Sequence, residues 1–173
     1  MLNGPESRIV LSTIPAYASR LTTSRSIACR RVPTNPETMP MFAVEVRDRI
    51  MIAHSLPDPF FGPAANKHGA TFVVDVAFFR ERLTRHNVVV DIGAALEVLN
   101  KTLKPLAYKD LDTLPEFKGK LTTTEFLCQH VFEAMVAAAK GGALGEDGKG
   151  LAKIRVTLHE TDLARAWVEG PVT

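Results

Sequence analysis

The fold is decided by two segments of the sequence, Ile52-Ala-His-Ser-Leu56 and Asn66-Lys-His-Gly-Ala-Thr-Phe-Val-Val-Asp-Val76. The first segment ends one apolar run with His54, and the second begins the next apolar run with His68. If the two runs pair as strands, the two imidazoles lie within reach of one metal ion or one ligand. A third histidine at position 70 would complete a metal site, but Ala70 occupies that position.

The composition is that of one soluble globular domain. The 173 residues are 46% hydrophobic and 23% charged, which is ordinary for such a domain. Residues 1–40 contain five arginines and two glutamates, whereas the remaining 133 residues contain 16 basic and 17 acidic side chains. Since nucleic-acid binding needs a clustered basic face, we expect no nucleic-acid partner.

Cysteine usage and hydropathy both indicate a soluble, cytoplasmic protein. Cys29 and Cys128 lie in different contexts without metal-motif spacing, so a reducing compartment fits better than a disulfide framework. We expect Cys128 to be a small buried hydrophobic residue. No run approaches the roughly 18 apolar residues that a membrane span needs, so no membrane partner is expected.

Residues 1–40 have no sustained apolar period and are rich in Ser, Thr, Arg and Pro. Their arginine-rich, acid-poor character resembles a transit peptide, but no clear amphipathic helix accompanies it. We interpret the segment as a disordered extension, or as upstream sequence translated from a misassigned start with Met39 or Met41 as the true first residue. Residues 41–173 are predicted to form the folded domain.

The alternation of apolar and polar residues predicts the strands. Residues 42–53 alternate as a half-buried strand does, and residues 70–79 are β-branched and aromatic enough for a second strand. Residues 86–92 are predicted to extend the pair as a hairpin return, with Asp91 closing the hairpin or capping the next helix. The other predicted strands are 154–160 and 164–168.

Two helices are predicted between these strand pairs. A helical period begins at Gly93 and ends near Pro105. The sequence Thr122-Thr-Thr-Glu125 is a capping box, in which Glu125 acts as a cap, and it predicts a second helix that ends at Gly141-Gly142. The order strand, strand, helix, helix, strand, strand predicts an α+β fold.

With these elements placed, residues 41–173 resemble the 6-pyruvoyltetrahydropterin synthase and 6-carboxytetrahydropterin synthase family. The resemblance implies the tunnelling fold, an antiparallel four-stranded sheet with two helices on one face. It also implies a homo-oligomeric barrel built from trimers, commonly a hexamer, with active sites between subunits. The landmarks that carry it are Ala53-His54, His68-Gly69, Val89-Val-Asp-Ile92, Leu114-Pro-Glu-Phe117, Thr123-Thr-Glu125 and Leu158-His-Glu-Thr161.

In this family, zinc is held by three histidines. The resemblance assigns His54 and His68 as metal ligands, while Ala70 replaces the third ligand. Three neutral nitrogens leave the fourth position of Zn²⁺ open for a substrate, as catalytic zinc requires. With two histidines the Zn²⁺ ligand set is incomplete, and the sources left open for a third ligand are His159, His86, Asp58 and a neighbouring subunit.

The catalytic positions of the family are also changed. The loop at residues 62–67, where the family carries its catalytic cysteine, contains no cysteine. The family's Leu-Asp-His segment, which supplies a proton-relay pair, aligns with Leu106-Ala107-Tyr108. Tyr108 is a candidate general acid if its phenol is suitably tuned. The catalytic residues therefore stay unassigned, and whether the protein is an enzyme is an open question at this point.

The pterin-binding part of the family pattern is retained. Glu160 matches the glutamate that anchors the 2-amino group and ring N–H of the pterin, a charge-assisted bidentate contact. Thr123 and Thr124 match positions that line the same pocket, and Glu125 is grouped with them as a substrate-binding candidate. The pair Phe60-Phe61 is left open between core packing, subunit contact and ring stacking.

These expectations lead to two hypotheses. In the first, the protein is a divergent pterin synthase homologue that binds a pterin-like heterocycle and catalyses a variant zinc-dependent lyase step on dihydroneopterin triphosphate or a related pterin. In the alternative, it is a catalytically inactive pterin-binding or structural homologue. A third possibility is that Tyr108 and an unrecognised set of ligands perform new chemistry.

Overall fold

A computed structural model describes residues 40–172 of the chain. The interpretation of residues 1–40 as a disordered extension or a misassigned start concerns residues that lie almost wholly outside the described part, as does Cys29. That interpretation, together with the domain boundary at residue 41, stays a prediction.

The first two strands form the long central ladder of the sheet. Strand β1 (Phe42–His54) and strand β2 (His68–Arg80) pair antiparallel, with Phe42 opposite Arg80 at one end and His54 opposite His68 at the other. The buried residues of β1 all lie at even positions (Val46, Ile50, Ile52 and His54), whereas Met51 is 51% exposed. The strand predictions at both segments are confirmed.

Three further strands complete a mixed five-stranded sheet in the order β3-β1-β2-β4-β5. Strands β4 (Lys153–His159) and β5 (Arg165–Pro171) form the predicted final pair. The prediction of a purely antiparallel four-stranded sheet is wrong, because β3 (Lys109–Asp110) runs parallel to the end of β1. The backbone turns at Tyr108, where φ is 59° and the amide donates to the carbonyl of Met51.

Helix α1 spans Ile92–Leu103, and its N-terminal cap is Asp91, whose carboxylate accepts from the amide of Ala94. Of the two roles left open for Asp91, the helix cap is therefore confirmed. The hairpin return predicted for residues 86–92 is wrong. Strand β2 already pairs with β1 on one edge and β4 on the other, so no edge is free for a third partner.

Helix α2 spans Thr124–Lys140 and ends at Gly141, as predicted. Its cap is shifted by one residue from the predicted capping box, because Thr123 rather than Thr122 accepts from the amide of Phe126. The hydroxyl of Thr122 lies instead 3.0 Å from His54 Nδ1. Glu125 consequently lies at the second helical position, one residue too early for the reciprocal bond of a capping box.

Both helices pack on the face of the sheet formed by the even-numbered strand residues. Phe72, Val74, Val76 and Phe78 of β2 are fully buried there and form one core with apolar residues of α1 and α2. The odd-numbered strand residues form the opposite face, which we call the open face. Neither helix of the described residues is long and apolar enough to cross a membrane.

Replacing Phe78 with alanine tests this division into two faces. Phe78 is fully buried, so we expect Phe78→Ala to lower the free energy of unfolding by about 3–5 kcal/mol. Met51→Ala removes an exposed side chain of β1, and we expect it to change the free energy of unfolding by less than about 0.5 kcal/mol. Urea unfolding measures both values, and equal losses for the two variants would contradict the assignment of faces.

Candidate functional site

The site begins with the two histidines at the end of the β1–β2 ladder. His54 and His68 lie directly opposite each other, and their ring centroids are 4.6 Å apart. His54 is 2% exposed, whereas His68 is partly exposed. The predicted juxtaposition of these two imidazoles is therefore present in the structure.

Backbone carbonyls orient both rings. The Nδ1 atom of His54 lies 3.0 Å from the carbonyl oxygen of Thr122, and that of His68 lies 2.9 Å from the carbonyl oxygen of Asn66. Because a carbonyl oxygen only accepts, each Nδ1 carries the proton and each Nε2 of the neutral ring presents a lone pair. Binding one ring nitrogen to a backbone carbonyl is the usual support of a metal-ligating histidine.

The environment of His54 favours its neutral form. Burial lowers the pKa of His54 below its usual value, and the neighbouring His68 lowers this pKa further. Its Nε2 atom is buried and has no hydrogen-bond partner among residues 40–172. A buried acceptor without a partner costs about 1–3 kcal/mol, so a bound metal or ligand donor at this nitrogen would recover free energy.

The third ligand is absent from the described chain. Ala70 is partly buried against the core, and no group of three or more His, Cys, Asp or Glu side chains in residues 40–172 is placed to hold a metal ion. The proposed substitutes have other partners: His159 binds Asp75, His86 binds Asp147, and Asp58 accepts from the amide of Phe60. The histidine pair thus fits two positions of a zinc site and leaves the set incomplete.

A cavity of about 290 Å³ adjoins this pair. Its polar wall contains His54 and all four predicted substrate-binding residues, which are Thr123, Thr124, Glu125 and Glu160. Its apolar wall is formed by Leu56, Phe61, Ala64, Ala164 and Ala166. The structure therefore brings the predicted binding residues together with one of the two predicted metal ligands.

Glu160 is held at the mouth of this cavity by the start of α2. The hydroxyl of Thr124 donates to Oε2 of Glu160 at 2.6 Å. The backbone at Glu160 is fixed as well, because its amide donates to the carbonyl of Ala164 in the turn between β4 and β5. The carboxylate is consequently oriented while its other oxygen stays free for a ligand.

Comparison with known proteins supports the relationship that these residues suggest. The family model described as 6-pyruvoyl tetrahydropterin synthase matches residues 43–171. The chain belongs to the 6-pyruvoyl tetrahydropterin synthase family. No curated protein matches the chain significantly.

Solved structures share this fold at low sequence identity, and two of those compared are 6-pyruvoyl tetrahydropterin synthases. The Caenorhabditis elegans 6-pyruvoyl tetrahydropterin synthase is 23% identical, with a TM-score of 0.63 over 76% of this chain and 97% of its own. The Plasmodium vivax synthase is 14% identical, with a TM-score of 0.63 over 76% and 99%. An uncharacterised Wolinella succinogenes protein is 15% identical, with a TM-score of 0.55 over 75% and 98%.

Sequence reasoning missed two residues of the site, Arg165 and Thr122, and left the role of Phe61 undecided. Arg165 lines the cavity from the first position of β5, and no motif distinguishes it from other charged residues at strand ends. Phe61 lines the cavity, whereas its neighbour Phe60 is 86% exposed. Thr122 was missed as the residue that orients His54, since its position suggested only a helix cap.

Neither Tyr108, the candidate general acid, nor Cys128 lines the cavity. Tyr108 is 82% exposed and is not among the residues that line the cavity, so its role as a general acid stays a prediction. Cys128 is buried in α2 with its sulfur 3.2 Å from the carbonyl oxygen of Val156. Burial raises the pKa of the Cys128 thiol to about 11, which keeps it protonated and unreactive near neutral pH. Cys128 is thus the buried residue that was expected.

Thiol labelling tests this description of Cys128. In native protein at neutral pH, iodoacetamide should leave Cys128 unmodified, because the thiol is both buried and protonated. In denatured protein the same residue should be labelled fully. A Cys29→Ser variant removes the second thiol, and mass spectrometry reads the result. Rapid labelling of native Cys128 would show that it is accessible and ionised.

Proposed function

We propose that the protein binds a pterin-like heterocycle in the 290 Å³ cavity, with Glu160 as the anchoring carboxylate. The observation that carries the proposal is the hydrogen bond from Thr124, which fixes Glu160 at the mouth of a cavity with apolar walls. Small-molecule sites combine such walls with a few oriented polar groups, and their volumes begin near 300 Å³. This volume suits a small planar molecule.

The proposed contacts follow from the chemistry of the two partners. A pterin presents its 2-amino group and a ring N–H side by side, and one carboxylate accepts from both in a bidentate, charge-assisted contact. Leu56 and Phe61 lie where they can cover the apolar faces of the ring. His54 also lines the cavity, and its Nε2 atom is an acceptor because the contact with Thr122 sets the tautomer of the ring.

In this proposal the described chain supplies two protein ligands for a metal ion. Members of the family are typically zinc-dependent, and here His54 and His68 would hold the ion. When bound, Zn²⁺ supplies a Lewis acid beside the cavity. This chain's own residues keep both Nε2 lone pairs available through the carbonyls of Thr122 and Asn66.

Ligand binding is better supported than the standard reaction. Ala70 stands in place of a zinc ligand, the loop at residues 62–67 has no cysteine, and the thiol of Cys128 is buried and protonated. A variant lyase acting on dihydroneopterin triphosphate or a related pterin is one form of the proposal. The second form is a catalytically inactive pterin-binding or structural homologue, which the loss of these groups favours.

We also propose a homo-oligomer built from trimers, with a hexamer as the expected state. Strand β3 covers only Ile52 and Ala53 of β1, so the rest of that edge has no strand partner within residues 40–172. The outer edge of β5 is equally open in the described chain. Exposed edges of this length are normally covered in stable proteins, and pairing between subunits would cover both.

Substitution of Glu160 tests the proposed site. Glu160→Gln should weaken the binding of dihydroneopterin about 10- to 100-fold, because it removes the charge from two hydrogen bonds. Isothermal titration calorimetry measures the dissociation constant. Glu116→Gln is the matched control, since Glu116 is exposed and does not line the cavity. Unchanged affinity in Glu160→Gln would show that the heterocycle does not bind at this carboxylate.

Restoring the third histidine tests the metal proposal. Ala70→His places an imidazole on the same face of β2 as His68, so the variant should retain about one zinc per chain after dialysis. The wild-type protein, with two ligands, should lose its zinc under the same conditions. Thr71→His is the control, because its side chain is on the open face. Equal zinc content of the two variants, measured by mass spectrometry of the metal, would refute the proposal.

A further inference from the structure

A second cavity, of about 360 Å³, lies on the open face of the sheet. The strand register places four of its lining residues in one row across four strands. Arg47 of β1 is opposite Asp75 of β2, Asp75 is opposite Thr157 of β4, and Thr157 is opposite Trp167 of β5. The floor of this cavity is therefore set by the same register that positions the histidine pair.

Asp75 is the centre of this row. It is 4% exposed although no helix of residues 40–172 covers this face. Arg47 donates to it through Nε at 2.5 Å and Nη2 at 2.8 Å, and His159 Nε2 lies 2.8 Å from the same carboxylate. Arg47 also lowers the pKa of Asp75, which keeps the carboxylate charged. An ion pair with an exposed partner such as Arg47 contributes little net stability, so we interpret the role of Asp75 as holding these two side chains in place.

The guanidinium groups around Asp75 have unused donors that border the cavity. Arg47 binds Asp75 by its Nε and Nη2 atoms, which leaves Nη1 free. Arg155 is held by Glu169, whose Oε2 atom is contacted by both Nε and Nη2 of the arginine. Arg165, directly opposite His159, has no ion pair or side-chain hydrogen bond within the described chain. Three arginines thus present donors from three strands.

Unused hydrogen-bond donors, rather than net charge, favour an anion in this cavity. The lining contains three arginines and two carboxylates, Glu45 and Asp75, and Glu169 pairs with Arg155. Asp75 is fully engaged, so the arginine donors that face the cavity stay available. The hydroxyl of Thr157 has no hydrogen-bond partner among the described residues and supplies a further donor to the same space.

The volume of the cavity and the side chain of Trp167 indicate which kind of anion would fit. A volume of about 360 Å³ leaves room for more than a simple oxyanion. Trp167 is 63% exposed and borders the cavity at the end of the row. Exposed tryptophan faces stack on planar rings, a contact that favours an aromatic ligand beyond the apolar area it buries.

We propose that this second cavity binds an oxyanion joined to a planar aromatic ring. Arg165, Arg47 and Arg155 contact the oxyanion, and Trp167 stacks on the ring. Asp75 and Glu169 are positioning residues. Each binds the Nε and Nη2 atoms of one arginine and leaves the Nη1 atom of that guanidinium for the ligand. Arg165 lines both cavities, whereas Arg47, Arg155 and Trp167 line this one and not the first, so the proposal rests mainly on residues that the pterin site does not use.

Tryptophan fluorescence tests the proposal directly, because Trp167 is the only tryptophan in the chain. Full-length protein titrated with phenyl phosphate should show a saturable change in emission, and inorganic phosphate should compete. Arg155→Gln changes a residue that lines this cavity and not the first, and it should weaken binding about 10-fold or more, the expected loss of a charged hydrogen bond. A parallel titration with benzoate distinguishes a phosphate from a carboxylate as the preferred oxyanion.

Matched variants separate this site from the first cavity and from general charge effects. Arg82→Gln removes an exposed arginine that does not line the cavity and should bind phenyl phosphate like the wild type. Glu160→Gln should also leave this binding unchanged. Absence of a saturable signal, equal weakening by Arg82→Gln, or loss of the signal in Glu160→Gln would each overturn the proposal. Thermal melts of every variant verify that the fold is intact.

Discussion

The antiparallel register between β1 and β2 is the constraint on which both cavities depend. It places His54 opposite His68 on the helix-covered face and Arg47 opposite Asp75 on the open face. A shift of one residue would move every side chain of a strand to the other face of the sheet. The alternate residues Phe72, Val74, Val76 and Phe78 oppose such a shift, because the shift would move this row of fully buried apolar side chains out of the core. Core packing therefore maintains the geometry of the polar groups in both cavities, although the core residues themselves take no part in the chemistry of either site.

The elements that the sequence predicted well have strong periodic patterns. The alternation in residues 42–53 and the helical period after Gly93 depend on burial against one core, and the structure contains both elements. The juxtaposition of His54 and His68 followed from the same alternation. The grouping of Thr123, Thr124 and Glu160 came instead from family resemblance, since no local pattern links residues that far apart in the chain.

The failures share a physical origin in tertiary contacts. Strand β3 has two residues, which is too short to carry a period, and it forms because the backbone turns at Tyr108. The apolar run at Val89-Val90 resembled a strand, but its residues are buried as core-packing side chains outside the sheet. In Thr122-Thr-Thr-Glu125 any of the threonines could cap the helix, and the contact of Thr122 with His54 decides which one does.

The two faces of one sheet thus present two different cavities, and the account's central claim concerns the first. A crystal structure of the protein with a bound pterin tests that claim most directly. The account predicts a ring edge within about 2.7–3.0 Å of the Glu160 carboxylate oxygens, with the ring between the apolar walls of the 290 Å³ cavity. A ring bound elsewhere, with Glu160 still contacted only by Thr124, would contradict it.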